Sequence, residues 1–242
     1  MSDLPTGMVT FLFTDIEGST RLWERYPDEM PAALGRHDSI LHQAIADQEG
    51  VVFRTVGDAF FAAFGAALPA VSAALAAQRA LYTEPWGAIG MMRVRMALHS
   101  STVDLREDGY LGPPLNRVAR LLAAGHGGQT LIGRATEELV RDQLPPDVAI
   151  YDLGEHQLRD LSQPEQIFQL VIEGMPHDFP ALKTLTNQDL ASASEAYISR
   201  QHKLPGMPEI DYDAIFKKER ERERQRKTRK GKGKGSQGGG LF

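Results

Sequence analysis

MVTFLFTDIEGST, residues 8–20, opens as an apolar and β-branched run and closes on an acid followed by small polar residues. The first eight residues have the pattern of a buried strand whose last residue, Asp15, emerges at the sheet edge. The chain then turns into a helical pattern carried by Leu22, Trp23, Tyr26, Met30, Leu34, Ile40, Leu41 and Ile45. Pro27 and Pro31 break that pattern into two helical pieces. Trp23 and Phe11 read as core residues, and Gly50 stands where a helix C-cap is expected. Next, VVFRTVGDAFFAAF (51–64) reads as two strands joined at Gly57-Asp58, a hairpin signal between apolar runs.

Further along, an Ala-rich helix sets Leu68, Val71, Leu75 and Leu81 on one face. Residues 92–98 alternate as a strand with one buried face. A helix over 112–124 starts at Gly-Pro-Pro and stops at Gly125. A strand at 130–132, a helix at 135–143 and strands at 148–153 and 166–172 complete the pattern. The order β-α-ββ-α-β-α-β-α-β-β mixes hairpins with crossover helices, which predicts an α+β sheet with helices packed against it. Beyond residue 173 the pattern weakens, with a short helix at 188–201, Glu/Arg alternation over 213–230 and the low-complexity end GKGKGSQGGG.

Charge marks the same division. The 242 residues carry a formal net charge of −5. Lys217 to Lys234 alone holds eleven Lys/Arg and three Glu, or +8, and the remainder is −13. There are no cysteines, which removes disulfide frameworks, thiolate metal sites and cysteine nucleophiles. No apolar run approaches the roughly 18 residues of a membrane span. The MSDLPTG start lacks the basic and apolar regions of a signal peptide, so a cytoplasmic location is expected. The basic tail has charge enough to attract nucleic acid or an acidic partner, but it has no aromatics to stack on bases. It reads as a solvated extension.

Two carboxylates stand out by position. Asp15 ends a buried strand and Asp58 sits at a hairpin tip. Carboxylates on adjacent strand ends can share hard divalent cations such as Mg²⁺ or Mn²⁺, which carry nucleotide phosphates. The following residues enter a helix whose free N–H groups suit phosphate oxygens. Each aspartate also has an ordinary reading, as a helix N-cap and as a turn former. Asn116 and Arg120 are four apart on one helix face. Arg can stabilise charge on a transferring phosphoryl group and Asn can hold a ribose oxygen, while the ordinary reading is a solvated face. His99, at a strand end, reads as structural.

Taken in order, FTDIEGST, RTVGDAF and GPPLNRVARL resemble the class III nucleotide cyclase catalytic domain, in its bacterial FTDIEGST-type branch. LGEHQLRDLSQPEQIFQL resembles that branch's closing segment. The resemblance implies a ferredoxin-like α+β domain over 6–173, with 174–242 as an extension. It implies two metal ions, Mg²⁺ or Mn²⁺, on Asp15 and Asp58, and a triphosphate loop at Ile16, Glu17, Gly18 and Ser19. Asn116 would position the ribose and Arg120 would stabilise the transition state. The implied reaction converts a nucleoside triphosphate to a 3′,5′-cyclic nucleotide and pyrophosphate. The implied partner is a second copy, because in the family one chain supplies the metal carboxylates and the other supplies Asn and Arg.

Two positions depart from the family pattern. Where adenylate cyclases place Lys before the second metal Asp, this chain has Arg54; where they place Asp before the Asn, it has Gly109, with Asp108 one step earlier. Guanylate enzymes usually have Glu with Cys or a similar residue at these positions. Arg54 can donate to adenine N1 through a wider and more rigid fork. An acceptor for the 6-amino group then has to come from Asp108 or a backbone carbonyl, which the permissive Gly109 allows. ATP is the expected substrate, with weakened base selectivity. The alternative is a catalytically silent cyclase-like module for nucleotide binding or dimerisation.

Overall fold

The apolar run of residues 8–15 is strand β1 (Gly7–Ile16), an inner strand of a seven-stranded sheet. The structure is a computed structural model and describes residues 4–103, 105 and 109–184. After β1 come α1 (Ser19–Arg25), α2 (Met30–Ala46), β2 (Val51–Val56), β3 (Ala59–Phe64) and α3 (Ala67–Thr83). A 3₁₀ turn at Gly87–Ile89 leads to β4 (Val94–Val103) and α4 (Pro113–Ala124). β5 (Thr130–Gly133), α5 (Arg134–Val140), β6 (Val148–His156) and β7 (Glu165–Ile172) follow.

The strand order is β2-β3-β1-β4-β5-β7-β6. Its first four strands read 4-1-3-2 from the β4 side, the ferredoxin-like arrangement of a split βαβ unit. β4 and β5 pair in parallel and the other neighbours are antiparallel. β1 is buried from Val9 to Thr14 because helices cover both faces. On one face Leu12, Ile16, Phe60, Phe64 and Leu98 pack with Leu41 and Ile45 of α2 and Val71 and Leu75 of α3. Small residues at Ala70, Ala73, Ala74 and Ala77, all buried, bring α3 close to the sheet. On the other face Phe11, Phe13 and Ala97 pack with Val118, Leu121 and Leu122 of α4. Thr10 and Ser100 are buried between these layers, but their hydroxyls bond to each other at 2.8 Å and on to Thr136 at 3.0 Å.

Two expectations are corrected. Trp23 is 39% exposed, because α1 has no buried residue. Gly50 is not a left-handed cap: Glu49 takes that conformation at φ 57°. Gly50 is instead a close-approach position, where a Cβ would lie 2.3 Å from the ring of Phe64.

Past β7, residues 174–184 lie against the body, with Met175 against one core cluster and Leu182 against the other. The helix expected at 188–201, the Glu/Arg stretch and the low-complexity end lie outside the described residues. Among the described residues no helix is long and apolar enough to cross a membrane.

Candidate active site

The hairpin tip and the end of β1 meet. Gly57, at φ 60°, supplies the positive φ that a two-residue hairpin turn needs at its first position. The turn presents Asp58, whose Oδ2 accepts from the Ile16 backbone N–H at 2.9 Å and whose Oδ1 accepts from Ser19 Oγ at 3.1 Å. A residue far along the chain thus fixes the turn that follows β1. Gly18, at φ 73°, lets the chain reverse there, and α1 begins with no side-chain cap on its first N–H groups. Arg21 folds its guanidinium back over Gly18.

Asp15 shares the β1 face of Phe11 and Phe13, two residues on from Phe13. Opposite it on β4 stands Arg95, whose Nε donates to Asp15 Oδ2 at 2.9 Å while Nη2 donates to the same oxygen. Both side chains are about a quarter exposed. His37 of α2 is fully buried and its Nδ1 lies 2.9 Å from Asp38 Oδ1. Burial lowers its pKa, opposed by Asp38 and by the more distant Asp58 and Asp15.

The pair fits a hard divalent cation. Two carboxylates from distant parts of the sequence are brought to one turn, one of them about a quarter exposed and the other partly so. Among the described residues no set of three or more His, Asp or Glu side chains converges. Further oxygen ligands would therefore come from backbone carbonyls and from nucleotide phosphates. Arg95 takes only Oδ2 of Asp15, so a cation there would use Oδ1 beside the guanidinium or displace it.

Arg54 is exposed on β2, just past a bulge and opposite Phe61. The bulge turns Phe53 into an aromatic cluster, where it meets Phe11 at 6.0 Å and Tyr110 at 5.1 Å between ring centroids. Tyr110 follows Gly109, which has φ 91°. The aromatic contact therefore brings the chain at Arg54 and the chain at Gly109 to the same part of the molecule. Asp108 lies outside the described residues. Tyr110 is buried and donates its hydroxyl to Pro5 O at 2.6 Å; burial pushes its pKa up to about 12.

Helix α4 starts at Pro113 behind Gly112. Asn116 is exposed on it. Arg120 Nη2 is paired with Asp160 Oδ2 at 2.5 Å, and Arg117 Nε lies 2.8 Å from Glu165 Oε1. Neither Asn116 nor Arg120 bonds to Asp15 or Asp58 within the chain. Apart from Arg54 and Gly109, the described sequence-derived residues thus form two groups, one at the β1 turn and one on α4. His99 is buried and held neutral: burial, then Arg117, lowers its pKa to about 4.

The sequence reading missed Arg95, Asp160 and Lys183. Strand alternation places Arg95 on a face, but only the β1/β4 register puts it opposite Asp15. Glu17 is engaged by Lys183 Nζ at 2.7 Å. Burial raises the Glu17 pKa, but Lys183 and the Gly127 N–H outweigh it and the net direction is down.

The comparisons agree with this architecture. Relatives include an uncharacterized protein of Mycobacterium tuberculosis, 41% identical over 182 residues, covering 74% of this chain and 61% of that protein. A receptor-type adenylate cyclase of Trypanosoma brucei brucei is 28% identical over 211 residues, 69% of this chain and 17% of that one. The chain thus spans less than two thirds of the length of these relatives. A solved adenylate cyclase from Trypanosoma brucei, in its monomeric state, superposes with TM-score 0.69 at 27% identity, covering 75% of this chain and 95% of the other. The adenylyl cyclase CyaB from P. aeruginosa shares the fold, with TM-score 0.60 at 24% identity over 72% of this chain and 97% of the other. The family model for the adenylate and guanylate cyclase catalytic domain matches residues 2–159, the span that holds both groups of site residues, and the chain belongs to that family.

Proposed function

We propose that this chain is a nucleotide cyclase that converts a nucleoside triphosphate, ATP before others, to a 3′,5′-cyclic nucleotide and pyrophosphate. The observation that carries the reading is Asp58 bound to both the backbone and the side chain of the 16–19 turn, beside Asp15. Two divalent cations, Mg²⁺ or Mn²⁺, held by Asp15 and Asp58, would supply activation of the ribose 3′-hydroxyl and neutralisation of the triphosphate.

The chain's own residues do the positioning. The turn Ile16, Glu17, Gly18 and Ser19 cradles the triphosphate, with the N–H groups at the start of α1, which no side chain caps, facing its oxygens. Arg54 donates to the purine edge, and the chain at Asp108 and Gly109 supplies the acceptor for the 6-amino group. One imperfect partner there weakens base discrimination by about 1–3 kcal/mol. The 3′-oxygen forms a bond to the α-phosphorus as the bond to the bridging oxygen breaks, and pyrophosphate leaves with that electron pair. Asn116 orients the ribose and Arg120 stabilises charge on the α-phosphoryl group, which requires it to exchange Asp160 for phosphate oxygen. The separation of these two from the aspartates within one chain supports a homodimeric site, with each half from a different copy.

We assign 6–173 as the catalytic domain, 174–242 as an extension, and the cytoplasm as its location. Incubation of the purified chain with Mn²⁺ and each of ATP, GTP, CTP and UTP, with chromatographic detection, should yield cyclic product from ATP. No product from any of the four at high protein concentration overturns the reading. Asp15→Ala and Asp58→Asn should each abolish turnover; the second keeps one of the two acceptor oxygens, and an unchanged melting temperature separates its loss of activity from a folding effect. A second reading, a silent nucleotide-binding or dimerisation module, draws on the occupied state of Asp15 and Arg120 and on Arg54 with Gly109. Nucleotide binding without pyrophosphate release would establish it.

A further inference from the structure

Residues 174–184 run as a strap over the body, and one side chain of the strap reaches both the 16–19 turn and the C-terminal end of α4. Lys183 Nζ donates to Glu17 Oε1 at 2.7 Å, in the turn that Asp58 also holds, and to Gly125 O at 3.1 Å. Gly125 is the C-cap of α4, the helix that carries Asn116 and Arg120. The Lys183 backbone N–H adds a bond to Ala124 O, the last residue of that helix, at 2.9 Å. Further contacts seat the strap: the His126 ring Nε2 donates to Ala181 O at 3.0 Å, its ring stacks parallel to Phe179, and Gln169 Nε2 donates to His177 O at 2.8 Å.

The approach is close by construction. A Cβ on Gly127 would lie 2.9 Å from Glu17 Cβ and 2.6 Å from Arg93 Cβ, so only glycine lets the 125–128 turn reach Glu17. Beside these anchors the strap borders a cavity of about 290 Å³ lined by Glu17, Arg93, Gly128, Met175 and Phe179. Met175 and Leu182 pack the strap onto the body, and its direct grip on the turn is the Lys183–Glu17 ion pair.

We propose that Lys183 is a positioning residue that ties the triphosphate turn to the end of α4. The proposal rests on the cyclase reading for what the turn and the helix do. In a homodimer with shared sites the turn serves one active site and α4 serves the other. A single ammonium then connects two catalytic centres through one subunit.

The test uses the full chain and the variants Lys183→Met, Lys183→Arg and Glu17→Gln. It measures kcat, KM for ATP with Mn²⁺, amide hydrogen exchange and melting temperature. Lys183→Met should raise KM about two- to fivefold, the range for a partly exposed ion pair. It should also speed exchange both at 16–19 and at 124–128. Lys183→Arg should restore both readouts, and Glu17→Gln should reproduce the effect at 16–19. A lower melting temperature with unchanged KM and unchanged exchange in the two stretches overturns the proposal, as does faster exchange with unchanged KM in an active enzyme. If the unaltered chain makes no cyclic product, the cyclase reading fails separately, and the exchange data alone decide whether Lys183 holds the two elements together.

Discussion

At the scale of single residues, Asp15 faces two competing cations. One of its carboxylate oxygens accepts two donors from Arg95, and in the proposed reaction the same carboxylate also accepts a metal ion. Both partners are about a quarter exposed, so the attraction is screened less than that of a surface pair. Removing the guanidinium charge while keeping a polar side chain should therefore favour the metal. Arg95→Gln should tighten Mn²⁺ binding to the nucleotide-free chain by about three- to tenfold, as measured by calorimetry or Mn²⁺ paramagnetic resonance. Equal or weaker affinity would mean that Arg95 holds Asp15 in a ligating position rather than competing for it. Arg120 presents a parallel case, since Asp160 occupies it in the single chain.

At the scale of elements, the β2–β3 hairpin is positioned from both ends. Its tip is tied to the 16–19 turn through Asp58. Its entry is set by the crossing of Gly50 against β3, with Phe64 and Ile45 occupying the space a side chain would need. Phe64 is 1% exposed and cannot swing into solvent without opening the core. Gly50→Ala should therefore destabilise the fold by about 1–3 kcal/mol in urea unfolding, the usual cost of overpacking. An unchanged midpoint would show that the hairpin can shift as a unit. The bulge at Val52/Arg54 is a second device in the same element: it lets Phe53 join the aromatic cluster while Arg54 stays exposed.

At the scale of the whole molecule, two buried histidines couple stability to pH. His99 is 5% exposed, in a space left by Gly133, whose Cβ would lie 3.3 Å from its Nδ1. Its pKa is lowered from 6.5 to about 4 by burial and then by Arg117, and burial lowers His37 as well. As pH falls below the unfolded value, the unfolded chain takes a proton that the native chain refuses. Stability is thus fully present above about pH 6.5 and falls towards pH 4, by an amount on the order of 2–3 kcal/mol for His99. Urea unfolding near pH 7 and near pH 4.5 should show the loss, and His99→Leu should reduce it. Equal pH dependence in the variant would show that His99 titrates alike in both states.

Asp15 and Asp58 illustrate how far the sequence reaches. The apolar run ending in Asp15, the Gly57-Asp58 hairpin and the Gly-Pro-Pro start of α4 are local patterns, each set by side-chain periodicity and turn chemistry. They are sufficient for the elements, their order and the two groups of candidate site residues. The opposition of Arg95 to Asp15, the pairing of Arg120 with Asp160 and the reach of Lys183 to Glu17 join residues separated by 80, 40 and 166 positions. Such contacts depend on strand register and on where a closing segment lies, which no local pattern encodes. Trp23 and Gly50 were misread for the same reason: what a residue packs against is decided by distant neighbours. The sequence by itself determined which groups can do chemistry, and the tertiary structure decided which of them are held, and by what, because burial and pairing are properties of the assembled sheet and helices.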